Sequence, residues 1–266
     1  MPSTDLLLIL AGIAGLGTAF WFYYQRTQVL RRRLAEANQE LEQVQRTFNR
    51  FAPSRVVDTV LERESLDIAE SREVTMLFAD LRGFTALSEQ MEAGDLVKLL
   101  NTYFQRMDEA ADAHSGFVSK FIGDGLLVLF GALYHNPWQS TDAVQAALQM
   151  HQEVNALDRR LDDPSLPTLH LSVGIHRGPV VAGIMGSLEV KEFTVIGRHV
   201  NLAARIEEMT RTHEADILIS GAVKGDLAPS IGTEERPPCR VEGMAEPVQT
   251  WAVPVAPNVA DAGPYA

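Results

Sequence analysis

The chain reads as an α+β fold, a mainly antiparallel sheet with helices on one face. Two observations predict it. The apolar patterning switches between period two and the helical period in the order strand, helix, hairpin, helix, strands, helix, strand. That order lacks the regular strand–helix alternation of a doubly wound parallel sheet. Composition agrees: 46% apolar and 22% charged residues in a chain of 266 is an ordinary globular balance, enough for one sizeable core plus appendages.

The N-terminal segment is unlike the rest. Residues 6–24 (LLLILAGIAGLGTAFWFYY) carry no charge and are about as long as a helix that crosses a bilayer core. Trp21, Phe22, Tyr23 and Tyr24 crowd one end, as an interfacial belt would, and Arg26, Arg31, Arg32 and Arg33 follow. No basic residue precedes the apolar run, and bulky aromatics stand where a cleavage site wants small residues, so a signal peptide fits poorly. The expectation is a single transmembrane helix over residues 1–25, placing the rest of the chain on the cytoplasmic side of the inner (plasma) membrane. Ala11, Gly15 and Ala19 make one face of it small, a weak signal for helix pairing.

A helical stalk and linker occupy residues 26–70. Leu30, Leu34, Ala37, Leu41, Val44, Phe48 and Phe51 step by four and three, a heptad seam with Leu34, Leu41 and Phe48 at a. The register favours a short parallel coiled coil; an amphipathic helix lying on a domain has a similar pattern. Pro53 breaks the run, and a short helix over residues 54–63 leads into the main domain, residues 71–253.

Within that domain EVTMLFAD is a strand ending in an acid. Residues 95–114 have helical periodicity through Leu96, Leu99, Leu100, Tyr103, Phe104 and Met107, with Gly116 as the stop. FVSKF and LLVLF form a hairpin across a Gly-Asp-Gly turn. Residues 141–157 form a helix with Thr141 as N-cap, and residues 164–167 a loop. LHLSVGIHRG and EFTVIG are strands, with residues 179–188 between them partly strand. Residues 200–209 are helical, DILIS and VQTWAV close the set, and residues 254–266 read as a disordered tail.

Charge and cysteine content narrow the function. A formal net charge of −12 argues against broad nucleic-acid binding, which wants a basic face. Cys239 is the only cysteine, so an intrachain disulfide and a thiolate metal cluster are both excluded.

The candidate chemistry lies in two acids and the turn after the first. Asp80 ends a β-rich run and opens DLRGFT; Asp124 sits at the hairpin tip. Carboxylates at the ends of adjacent strands can hold a pair of Mg²⁺ ions that keep coordination positions for substrate phosphate. The RGFT that follows turns into a helix whose free N–H groups suit phosphate oxygens. Either acid alone is equally ordinary turn chemistry.

FADLRGFT, KFIGDGLLVLFG and FTVIGRHVNLAARIE, in that order, resemble the class III nucleotidyl cyclases. The resemblance runs over residues 71–253 and includes the closing VEGMAEPVQTWAV. It implies a ferredoxin-like catalytic domain, most often an adenylate cyclase forming cyclic AMP and pyrophosphate from ATP. It implies that Asp80 and Asp124 hold two ions, Mg²⁺ or Mn²⁺, and that Phe84 and Thr85 offer backbone N–H groups to the triphosphate. Asn201 and Arg205 match the pair that orients the ribose and stabilises the pentavalent phosphorus; their spacing of four puts them on one helix face, and a guanidinium suits a phosphate with growing charge, where a random helix would offer only a surface salt bridge. Lys120 and Thr194 match the positions that choose the base: an ammonium donor suits adenine N1, and a hydroxyl can accept from the N6 amino group. Guanylate cyclases usually show Glu and a Cys or similar small residue there.

The resemblance further implies a head-to-tail homodimer. One chain gives Asp80 and Asp124 to a site, and the other gives Lys120, Thr194, Asn201 and Arg205. Its regulator would be a membrane partner or a small ligand; Thr194 resembles a bacterial subgroup of which some members respond to bicarbonate. Arg198 departs from the frequent G-D-x-V-N of the family. His199 is read as a surface or interface residue, and His114 and His176 as structural. The rival readings are a guanylate cyclase and a non-catalytic nucleotide-binding signalling module.

Overall fold

The computed structural model describes residues 69–161, 166–187, 191–241, 244 and 246–255, with residues 21, 25–28 and 31 of the N-terminal segment. The chain divides into two compact units, Met1–Ala52 and Pro53–Ala266. Apart from those few positions and residues 69–70 and 254–255, the expected anchor, stalk and tail lie outside the described residues. The expected inner-membrane location does not stand. Among the described residues, no helix is long and apolar enough to cross a membrane. The two long described helices are amphipathic instead, with one apolar face packed on the sheet.

In chain order the second unit contains β1 (Ala69–Arg82), α1 (Phe84–Gln90), α2 (Ala93–Ala113), β2 (Gly116–Ile122), β3 (Gly125–Phe130), α3 (Gln139–Leu161), β4 (His170–Gly186), β5 (Lys191–Ile196), α4 (Arg198–Thr212), β6 (Ile217–Ser220), α5 (Gly221–Asp226), β7 (Glu234–Cys239) and β8 (Val248–Ala252). The sheet order is β2-β3-β1-β4-β6-β8-β7, with β5 pairing β4 off that path. Its pairs are antiparallel except β4 with β6. The mainly antiparallel α+β expectation is met.

The helices do not share one face. Leu77, Ala79 and Leu81 of β1 point into a large core with Tyr103 and Met107 of α2 and Val144, Ala147 and Met150 of α3. Val74 and Met76 point the other way, into a second core with Leu127, Leu129, Phe193, Val195 and Ala203 of α4. Leu202, Ile206 and Met209 of α4 cover Leu218 and Ala252 on that same side. The physical reason is visible in β1 and β3. MLFA (residues 76–79) and LLVLF are apolar at consecutive positions, so both faces of the sheet must be covered. Helical periodicity says which stripe of a helix is buried, not which face of the sheet it meets.

Residues 179–188 are partly strand, as expected: β4 is one 17-residue strand that runs through Pro179 to Gly186. On its edge away from β1, pairing with β6 ends at Ile175 and pairing with β5 begins at Val181. Pro179 falls in that gap, where a missing N–H is tolerated. Thr141 does not cap α3, which already begins at Gln139; its Oγ1 accepts from the Ala228 N–H at 3.2 Å. Asn136 organises the entry instead, accepting from the Trp138 N–H at 2.9 Å and donating to Asp142 at 2.8 Å. Finally β7, not anticipated, carries Pro237 and Pro238, and its register slips there, as an edge strand allows.

Candidate active site

β1 delivers Asp80 opposite Ser172 of β4, while Ala79 pairs with Leu126 of β3. The β2–β3 turn therefore closes beside Asp80. Gly123 takes φ +66, and Gly125 sits so close that a Cβ there would lie 3.1 Å from both Asp80 Oδ1 and the Ala79 carbonyl. Asp124, between the two glycines, comes within hydrogen-bonding reach of Asp80. Burial pushes the Asp80 carboxyl above its ordinary value, and the nearby Asp124 charge and hydrogen bond push it further. Arg211, whose Nη2 lies 3.9 Å from Asp80 Oδ2, and the Leu81 backbone pull the other way.

Two facing carboxylates fit a hard divalent cation, which takes oxygen ligands and relieves their mutual repulsion. Among the described residues no group of three or more His, Cys, Asp or Glu side chains converges. Remaining coordination positions would fall to water, backbone carbonyl and substrate oxygens. Tyr103 of α2 lies below: it is fully buried, and its hydroxyl has no hydrogen-bond partner. Burial raises its phenol, and the charges of Asp80 and Asp124 raise it more.

Past Asp80 the chain turns at Gly83, at φ +81, straight into α1. No side chain caps the first turn. Phe84 is half-buried against the large core, and Thr85 is exposed.

β2 and β5 are not sheet partners, yet they are clamped together. Ser119 Oγ donates to the Phe193 carbonyl at 3.1 Å, and Lys120 Nζ donates to Glu192 Oε1 at 2.6 Å. The Phe117 and Phe193 rings meet at 5.9 Å. The clamp sets Lys120 against Glu192, two residues before Thr194 on β5. Thr194 is 5% exposed, and its Oγ1 has no hydrogen-bond partner.

Asn201 and Arg205 stand on the exposed face of α4. They line a groove of about 370 Å³ with Arg198, Glu208, Val241 and Met244. Arg205 Nη1 lies 2.6 and 2.9 Å from the Glu208 carboxylate oxygens. Neither acid, Asp80 or Asp124, lines this groove, nor does Lys120 or Thr194. Arg211, which approaches Asp80, is about 15 Å further along the helix axis from Asn201 at 1.5 Å per residue.

Two features were not singled out from sequence. Glu207 of α4 is half-buried, and its Oε1 accepts from Ser172 Oγ at 2.6 Å beside Asp80. Burial raises its carboxyl, and the Ser172 hydrogen bond lowers it. The i,i+4 spacing of Glu207 and Arg211 was the available signal. The second is a histidine stack. His199 is not simply a surface residue: its ring lies 5.1 Å from that of His176, with His176 Nε2 2.8 Å from His199 Nδ1. His176 Nδ1 is 2.8 Å from Ser220 Oγ. Burial, then the neighbouring His199, brings His176 down to about 4. Arg198 Nε donates to His199 Nε2 at 3.3 Å, which moors the departing residue at the head of α4.

The profile of the adenylate and guanylate cyclase catalytic domain matches residues 66–254. An adenylate cyclase of Anabaena cylindrica is 36% identical over 193 residues, 68% of this chain and 37% of that protein. The chain thus spans well under half of that curated relative. The crystal structure of the adenylyl cyclase CyaB from P. aeruginosa superposes with a TM-score of 0.66 at 32% identity, covering 71% of this chain and 97% of that one. The guanylyl cyclase Cya2 superposes with a TM-score of 0.65, also at 32% identity, covering 74% and 96%. Overall likeness therefore does not choose between the two nucleotides.

Proposed function

Since the chain belongs to the class III nucleotidyl cyclases, the adenylate and guanylate cyclase catalytic domain family, we propose that residues 71–253 form an adenylate cyclase, converting ATP to 3′,5′-cyclic AMP and pyrophosphate. The observation that carries the reading is the pair of facing carboxylates, Asp80 and Asp124, with Gly125 leaving room at Asp80. Asp80 and Asp124 would hold two ions, Mg²⁺ or Mn²⁺. When bound, these lower the pKa of the ribose 3′-hydroxyl and steady the triphosphate.

The chain's own residues do the rest. Backbone N–H groups of Phe84 and Thr85, in a turn without a side-chain cap, bind triphosphate oxygens. Asn201 orients the ribose. Arg205 meets the charge that grows on the α-phosphoryl group as O3′ bonds to phosphorus and pyrophosphate leaves. Glu208, which it pairs with across one turn, is more than half exposed, and such pairs hold weakly. No side chain stands out as an obligatory base for the 3′-hydroxyl proton. Lys120 donates to adenine N1, and the orphaned Thr194 Oγ1 accepts from the N6 amino group.

A head-to-tail homodimer completes the site on this reading. The groove of Asn201 and Arg205 contains neither acid, which supports supplying the acids from a second copy. The decisive experiment incubates purified protein with Mn²⁺ and either ATP or GTP and reads the cyclic product. Cyclic AMP from ATP is expected; cyclic GMP alone would point to the guanylate reading. No product from either would point to a non-catalytic nucleotide-binding module. Lys120→Glu combined with Thr194→Cys should move preference toward GTP.

A further inference from the structure

α4 is seated directly on β4. A Cβ on Gly174 would fall 2.2 Å from the Glu207 backbone nitrogen, so helix and strand meet with no side chain between them. At this contact Ser172 Oγ lies 2.6 Å from Glu207 Oε1 and 3.2 Å from the Asp80 carbonyl oxygen. One turn later Arg211 Nη2 lies 3.9 Å from Asp80 Oδ2. Glu207 and Arg211 share one face of the helix by their spacing. Asn201 and Arg205 line the groove on another.

We propose that Glu207 and Arg211 are positioning residues for the Asp80 carboxylate, acting with opposite charge, so that α4 ties the groove of one active site to the acids of the other. The inference rests on the reading of Asp80 as a metal ligand. Arg211 competes with a cation for an Asp80 oxygen. Glu207 adds negative field behind Asp80 and, through Ser172, holds the strand that carries it. Groups in this outer layer orient a ligand and tune its affinity. A shift of α4 when nucleotide enters its groove would then be felt at Asp80.

The test is Mn²⁺ binding to the full chain without nucleotide, read as free Mn²⁺ by electron paramagnetic resonance. Glu207→Gln keeps an acceptor for Ser172 and removes the charge; binding should weaken about threefold or more. Arg211→Gln should tighten binding by about threefold, and this gain should shrink in high salt, because the side chain is 67% exposed. A merely structural role would weaken binding in both. Shifts in the same direction, or none, with Asp80→Asn abolishing binding, would overturn the inference alone. Unchanged Mn²⁺ binding in Asp80→Asn would overturn the metal reading beneath it.

Discussion

Asp80 is held at a cost. Burial and the Asp124 charge raise its carboxyl, so the folded chain binds this proton more tightly than the unfolded one. The sign follows from linkage: stability falls as pH rises from the ordinary carboxylate value through the raised one, and the penalty persists at neutral pH. Asp80→Asn should therefore raise the melting temperature at pH 7 while lowering cyclase activity at least about 100-fold. A melt and a cyclic-AMP assay on one preparation check both; a lower melting temperature would count against the penalty. His176 has the opposite dependence. Its folded value, about 4, lies below the unfolded one, so the unfolded chain takes up the proton first. Stability is lost as pH falls below about 6.5, and the loss is complete near 4, roughly 3 kcal/mol from this residue at most. His176→Gln should flatten that part of a urea-midpoint profile against pH. Both acids were legible in the sequence as turn and strand-end residues within motifs. Their neighbours Tyr103, Glu207 and Arg211 were not, because each looks like an ordinary helix residue until the helix is docked.

At the scale of elements, α4 is seated on β4 with the Glu207 backbone directly over Gly174. Gly174→Ala should destabilise by about 1–3 kcal/mol or more, since the obstructing atoms are backbone and cannot swing aside. Gly94→Ala in α2 is the matched control: nothing lies within 4 Å of its Cβ, and the change should be neutral or stabilise by about 0.4–1 kcal/mol. Urea midpoints of the two variants compare them directly; equal midpoints would deny the close approach. The long helices and the central strands were readable from periodicity alone. Their ends were not: Asn136 rather than Thr141 organises the start of α3, because a side-chain bond that depends on the preceding loop decides it. Pro179 lies inside β4, in a gap left by two different neighbours on one edge, and spacing alone does not show that gap. α5, of six residues, is too short for its periodicity to register.

For the whole molecule, the separation of acids from groove makes the proposed dimer testable. Asp80→Ala and Asn201→Ala chains should each be inactive alone. Mixed one to one, random pairing makes half the dimers mixed, each with one intact site, so about a quarter of the wild-type rate should return. Absence of recovery, with subunit exchange demonstrated by differently tagged chains, would sink the shared-site arrangement.

By itself the sequence determined which residues carry oxygen donors, cations and hydroxyls, and the period of each stretch determined most of the strands and helices. Those are local properties, written in spacing and side-chain chemistry. Only the tertiary structure decided that helices cover both faces of the sheet. It alone clamps β2 to β5 beside Lys120 and Thr194, and brings Glu207 and Arg211 to Asp80. These contacts join residues far apart in the chain, and they exist only once the sheet has closed and each apolar face has found its cover.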